Sequence, residues 1–112
     1  MESFSKGLAV VKKDGKWGFI NTEGVIVIKP QFEWAWGFSE GLAPAQKNGK
    51  WGFINKDGKF IIEPQFSGAS SFSDGMAKIS MNGKYGFINK EGKVIIKPQF
   101  DYAWRYTEGL VE

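Results

Sequence analysis

Two sets of carboxylates recur along the chain at a fixed interval. Glu40, Asp74 and Glu108 each precede a glycine, and so do Glu23, Asp57 and Glu91. Paired carboxylates can run glycoside hydrolysis, one protonating the leaving oxygen while the other attacks or activates water. A catalytic pair is usually unique in its fold, whereas these acids are repeated beside turn glycines. They read as hydrogen-bonding groups of solvated turns. Asn55-Lys56-Asp57-Gly58 faintly suggests a calcium loop, but such a loop needs an acid where Phe53 stands and a glutamate where Pro64 stands. The Gly-Lys pairs lack the spacing of a phosphate-binding loop. Ser39 and Ser73 have no histidine to activate them. The chain has no cysteine either, so neither a disulfide framework nor a thiolate metal site is available. The expectation is a protein that is not an enzyme, with no catalytic residue, no metal and no cofactor.

Binding chemistry is better represented. Trp34, Trp36, Tyr102, Trp104 and Arg105 are residue types that dominate interaction hot spots. They fall in the stretch that varies most between otherwise similar segments. Where they stand, the middle segment has Gly68, Ser70 and Ser71. Positions shared by all copies of a repeat hold the fold, and positions that differ are free to specialise. The alternative is that these rings pack over a neighbouring segment, covering Gly18 or Gly86.

The elements that must position them are repeated. Phe4, Phe38, Phe72 and Tyr106 lie 34 residues apart, which frames repeats at 4–37, 38–71 and 72–105 and a partial fourth, or capping strand, at 106–112. The second and third repeats are identical at 20 of 34 positions, too many for chance. Together, residues 1–112 make a single repeat domain. Each repeat reads as a meander of short strands. The first strand is Leu8–Lys13, Leu42–Lys47 or Met76–Met81, with Ala9 and Val11, Ala43 and Ala45, or Ala77 and Ile79 on one face. Asp14-Gly15, Asn48-Gly49 and Asn82-Gly83 then suit a two-residue type I′ turn, which needs positive φ at both positions. The second strand is Lys16–Asn21 and its copies. Its glycines, Gly18, Gly52 and Gly86, mark the close approach of a backbone or of a ring from the next repeat. Asn21, Asn55 and Asn89 begin an Asx turn that ends in glycine. The third strand, Val25–Ile28, Phe60–Ile62 or Val94–Ile96, is expected to stop before Pro30, Pro64 and Pro98. Beyond it, Trp34 and Trp36 are two apart and suit a short edge strand, with Ala35 and Ala103 facing inward.

The fold class expected is all-β: tandem 34-residue β-meander or hairpin repeats forming an open, twisted array. A small closed propeller-like or barrel-like ring, completed by oligomerisation, is the alternative. The strand expected at Tyr106–Val111 favours the open form, since a ring needs no duplicate of its opening strand.

The string Gly-Lys-Trp-Gly-Phe-Ile-Asn-x-x-Gly, then Ile-x-Pro-Gln-Phe, then Phe-Ser-Glu-Gly-Leu-Ala resembles the bacterial WG repeat family, also described as KWG repeats. The resemblance covers essentially the whole chain. It implies tandem β repeats, an interaction role and no assigned catalysis. The third copy departs by carrying Tyr85, and the fourth is truncated. The structural positions it marks are Trp17, Gly18 and Phe19, Trp51, Gly52 and Phe53, and Tyr85, Gly86 and Phe87. A weaker likeness is to the choline- and glucan-binding repeats of bacterial surface proteins, which also build hairpins around an Asn-Gly-Lys-Trp core. Those repeats are shorter and continue with aromatics where Gly52 and Gly86 stand.

Bulk properties agree with a compact strand-and-turn protein. Aromatics make up 16% of 112 residues and glycines number 15. The net charge of +3 is mild and the lysines sit at turns, which argues against a nucleic-acid partner. No stretch has the apolar length of a signal peptide or a membrane span, so a soluble chain without membrane insertion is expected, its compartment open. The function expected is a non-catalytic β-repeat scaffold for protein–protein interaction or assembly, with a protein, a peptide or a second copy as partner. Binding of cell-surface glycan or choline through exposed aromatics is the first alternative. A structural spacer, engineered or excised from a longer array, is the second.

Overall fold

A computed structural model of the chain describes residues 7–101 and, beyond them, the backbone of Tyr106–Thr107 and Leu110–Val111. All regular elements among the described residues are strands: β1 (Leu8–Lys13), β2 (Lys16–Asn21), β3 (Ile26–Phe32), β4 (Trp34–Ala35), β5 (Ala43–Lys47), β6 (Lys50–Ile54), β7 (Phe60–Phe66), β8 (Gly68–Ala69), β9 (Met76–Met81), β10 (Lys84–Asn89), β11 (Val94–Phe100), β12 (Tyr106–Thr107) and β13 (Leu110–Val111). They form antiparallel sheets in the orders β1-β2-β3, β4-β5-β6-β7 and β11-β10-β9-β8, followed by the β12-β13 hairpin. The expected open array of all-β repeats is the architecture found.

The first turn of each repeat is the two-residue hairpin its sequence demands. Asp14, Asn48 and Asn82 have φ of 53°, 55° and 52°, and the glycine after each is also positive. The pairs Lys13↔Lys16, Lys47↔Lys50 and Met81↔Lys84 close these hairpins. The second turn is an Asx turn. Asn21 Oδ1 accepts from the amides of Glu23 and Val25 at 2.9 and 3.0 Å, and Asn55 and Asn89 repeat the pattern.

The prolines do not end the third strand. β3 runs through Pro30 to Phe32, and β7 and β11 likewise pass Pro64 and Pro98. The register explains why. Trp17 pairs with Phe32 while Phe19 pairs with Ile28, so three residues of β3 bulge opposite Gly18 alone. Proline is tolerated at a bulge on the outer strand of a sheet, where its missing N–H costs no ladder bond. This also decides between the two readings of Gly18, Gly52 and Gly86: a backbone, not a ring from the next repeat, makes the close approach. A Cβ at Gly18 would lie 2.5 Å from Ile28 O and 2.6 Å from Pro30 N. The space is filled by the bulged backbone of the same repeat.

One further expectation is sharpened and another changes. The turns expected at Glu40 and Asp74 are tight two-residue hairpins. Ser39 and Leu42 exchange backbone hydrogen bonds of 2.9 and 3.1 Å around Glu40, whose φ is 55°. The tail is likewise a hairpin, Tyr106 pairing with Val111 and Thr107 with Leu110, rather than one continuous strand.

The core lies between consecutive sheets. Phe19 of the first sheet meets Phe38, which precedes β5 of the second, with ring centroids 4.8 Å apart; Phe53 and Phe72 repeat this pair, also at 4.8 Å. Ile28 and Phe32 join the same buried cluster as Ala43, Ala45 and Ile54 of the next sheet. Burying one such side chain stabilises by roughly 1.5–3 kcal/mol. A single repeat therefore leaves its apolar face uncovered, and stacking supplies the cover. Phe32 and Phe66 are 1% and 2% exposed, whereas Phe100, the third copy of that position, is 39% exposed.

Candidate functional site

The variable segment crosses from one sheet to the next. After β3 completes the first sheet, β4 pairs with β5, the opening strand of the following repeat. Trp34 lies opposite Gln46 and Ala35 opposite Ala45. Backbone bonds extend the pairing on both sides, from Glu33 N to Gln46 O at 2.9 Å and from Trp36 N to Pro44 O at 3.1 Å. The Glu33 carboxylate adds a clamp, one oxygen accepting from Asn48 N and the other from Gly49 N, both at 2.9 Å. The backbone carrying Trp34 and Trp36 is thus fixed from Glu33 through Trp36.

Strand alternation then sorts the side chains. Ala35 points into the core and is buried, as expected, while Trp34 and Trp36 face outward and are 38% and 45% exposed. Their rings are not isolated. Trp34 lies 5.0 Å from the Trp17 ring at 42°, and 5.9 Å from the Trp36 ring at 62°. Packing and exposure therefore coexist: Trp34 leans on the preceding sheet without being covered by it.

Trp17 is the floor of this cluster. It is half-buried against the first core, and Lys12 Nζ sits 5.8 Å from its ring centroid. Its Nε1 is buried and meets no acceptor among the described residues. Trp51 packs on the second core, and Tyr85 is half-buried with Lys78 Nζ 5.0 Å from its ring. The expected structural role fits Phe19, Phe53 and Phe87, all fully buried. Trp17 combines that role with a place in the outward-facing cluster. Only knowing that β4 folds back over the first sheet makes this visible.

The second copy of the segment is stripped of large side chains. Gly68 and Ser70 stand where Trp34 and Trp36 do, and β8 pairs with β9 as β4 does with β5. A depression of about 400 Å³ opens beside Trp36, bounded by Gly37, Ala69, Ser70 and Ser71. The remaining expected site residues, Tyr102, Trp104 and Arg105, lie outside the described residues, as does the inward position expected for Ala103.

Lys84 Nζ pairs with Asp101, and the hydrogen bond from Lys84, then its charge, holds the exposed Asp101 carboxyl below the ordinary aspartate range. Among the described residues, no helix is long and apolar enough to cross a membrane.

The periodicity of these features has a match. A family model described as WG containing repeat fits residues 1–17, 17–51, 51–85 and 85–111. The chain belongs to the WG-containing repeat family. Successive matches meet at Trp17, Trp51 and Tyr85. In these WG repeats the dipeptide divides its work: the glycine admits the bulged third strand, and the tryptophan before it in the first two repeats packs on the buried cluster between sheets. No curated protein and no solved structure matched the chain.

Proposed function

We propose that this WG-repeat chain is a non-catalytic interaction module that binds an extended segment of a protein partner on the Trp34–Trp36 face. One observation carries the reading: two large aromatic side chains are held outward, 38% and 45% exposed, on backbone that is hydrogen-bonded through Glu33, Trp34 and Trp36. Rigid aromatics lose little conformational freedom on binding and supply much contact area. The depression beside Trp36 gives a neighbouring side chain of the ligand somewhere to sit. The rings are tilted to one another rather than facing across a box, which suits an extended peptide better than a caged cation.

The non-catalytic part of the reading is supported by composition. The chain has neither histidine nor cysteine, and its carboxylates recur at turns. A net charge of +3 and lysines placed at turns favour a protein ligand over nucleic acid.

The test is selection from a displayed library of random linear peptides, followed by titration of the enriched peptides against Trp36→Ala. Enrichment of related sequences whose binding falls at least tenfold in Trp36→Ala supports the reading. A tryptophan fluorescence response to choline or glucan oligosaccharides, without peptide enrichment, would move the face to the glycan-binding class. Mass measured by light scattering over a concentration series addresses assembly. A discrete dimer whose formation hides Trp34 and Trp36 would make a second copy the partner.

A further inference from the structure

The three repeats differ at the residue that follows the third strand, which is Glu33, Ser67 or Asp101. In the first repeat this acid is a ligand for the next repeat's type I′ turn. Its two oxygens take the amides of Asn48 and Gly49, one each, at 2.9 Å. In the third repeat the acid takes the lysine at the start of its own second strand, Lys84. The second repeat has no acid there. Ser67 Oγ instead donates to Ser80 O at 2.9 Å and lies 3.2 Å from Ser80 Oγ.

The groups that an acid would satisfy are nevertheless all present. The Asn82–Gly83 turn has the conformation of Asn48–Gly49, with φ of 52° and 80° against 55° and 79°. Among the described residues, no acceptor meets Asn82 N or Gly83 N, and no carboxylate pairs with Lys50. Lys50, Ser67, Asn82 and Gly83 line one cleft of about 250 Å³, closed by Gln65 and Met81. The cleft stands where the first repeat places the Glu33 carboxylate.

We propose that this cleft is a binding site for a carboxylate group, held by the Asn82 and Gly83 amides with Lys50 supplying the positive charge. Paired backbone amides in a turn are a known form of anion seat, and charge-assisted hydrogen bonds are the strong ones. The molecule contains its own bound reference, since Glu33 occupies the equivalent seat one repeat earlier. The Asp14–Gly15 turn is a poorer seat, because Asp14 brings a negative charge of its own. The ligand class is an aspartate or glutamate side chain, or the free C-terminal carboxylate of a peptide. The site stands independently of the Trp34–Trp36 face.

The experiment follows backbone amide resonances of the full chain by NMR while sodium acetate is added, against sodium chloride at equal ionic strength. Asn82 and Gly83 should shift saturably with acetate, and Asn48 and Gly49 should not. Ser67→Glu should fill the seat from within, abolish the acetate response and move Asn82 and Gly83 toward the shifts of Asn48 and Gly49. Glu33→Ser should transfer the response to Asn48 and Gly49. Lys50→Met should weaken acetate binding about tenfold, the size of one charge-assisted contact. Equal response of the two turns in the unmodified chain, or an undiminished response in Ser67→Glu, overturns the proposal. Ser67→Glu gives up the hydroxyl bond to Ser80 O, so retention of the remaining amide resonances at their original shifts is the check that this variant keeps the fold. A capped peptide with one internal glutamate and a peptide with a free C-terminus then separate the two sources by relative affinity.

Discussion

Glu40 Oε1 accepts a hydrogen bond from Gly75 N at 2.9 Å, joining the turn of one repeat to the same turn of the next. Ser39 Oγ reinforces the link by donating to Phe72 O at 2.7 Å. Both contacts are partly buried and join neighbouring repeats. The acids whose recurrence argued against catalysis thus include a coupling element between sheets. Recurrence is what a coupling element needs.

Glu40→Ala should therefore destabilise the array by about 1–3 kcal/mol, the cost of leaving a partly buried amide without its charged acceptor. Glu40→Gln keeps an acceptor and should lose less. Urea unfolding of both variants checks the order.

Gly52→Ala should be far more damaging than its single added methyl suggests. The new Cβ would lie 2.4 Å from Ile62 O and 2.7 Å from Pro64 N, both backbone atoms of the bulge. Overpacking of this kind costs upward of about 3 kcal/mol when the neighbour is backbone. Gly37→Ala, which meets nothing within 4 Å, should change stability by under about 1 kcal/mol. Comparison of their melting temperatures is the check.

Much of this architecture was legible in the residues. Asn-Gly and Asp-Gly demand positive φ, so the first hairpin of each repeat could be placed to the residue. Period-two alternation set Ala35 inward and the tryptophans outward. Pro30 misled because a strand ending and a bulge on an outer strand have the same local chemistry; only the pairing of Trp17 with Phe32 separates them. The same pairing decides that a backbone rather than a ring lies against Gly18. The Glu40–Gly41 hairpin was missed because its strands are single bridging residues, too short for alternation to show. Trp17 meets Trp34 only because β4 crosses to the next sheet. Ser67 is informative only once Glu33 is seen holding the Asn48–Gly49 amides.

Trp36→Ala should leave the fold nearly unchanged, because about half of the ring faces solvent and its backbone bond to Pro44 O survives. Trp34→Ala removes the ring contact with Trp17 and should cost about 1–2 kcal/mol, an aromatic pair plus partial burial. Denaturation curves for both should remain cooperative. Complete unfolding of either variant would assign these rings to the core.

The Lys84–Asp101 pair gives an acid-dependent signal. The carboxyl of Asp101 is held below its ordinary value by the hydrogen bond and charge of Lys84. A depressed folded-state value means that the pair's contribution is present above the unfolded aspartate value and disappears as pH falls through the folded one. Both side chains are exposed, so the contribution is small. The difference in melting temperature between the unmodified chain and Asp101→Asn should shrink to nothing on acidification and be reduced by added salt.

The most direct test of the interaction surface is fluorine NMR of 5-fluorotryptophan-labelled protein with a peptide enriched in the selection. Resonances are assigned by single Trp→Phe variants at Trp17, Trp34, Trp36, Trp51 and Trp104. Binding at the face built by β4 predicts that Trp34 and Trp36 move most and that Trp51, seated on the second core, stays in place. Saturation with Trp34 and Trp36 unmoved, or movement led by Trp51, would contradict it.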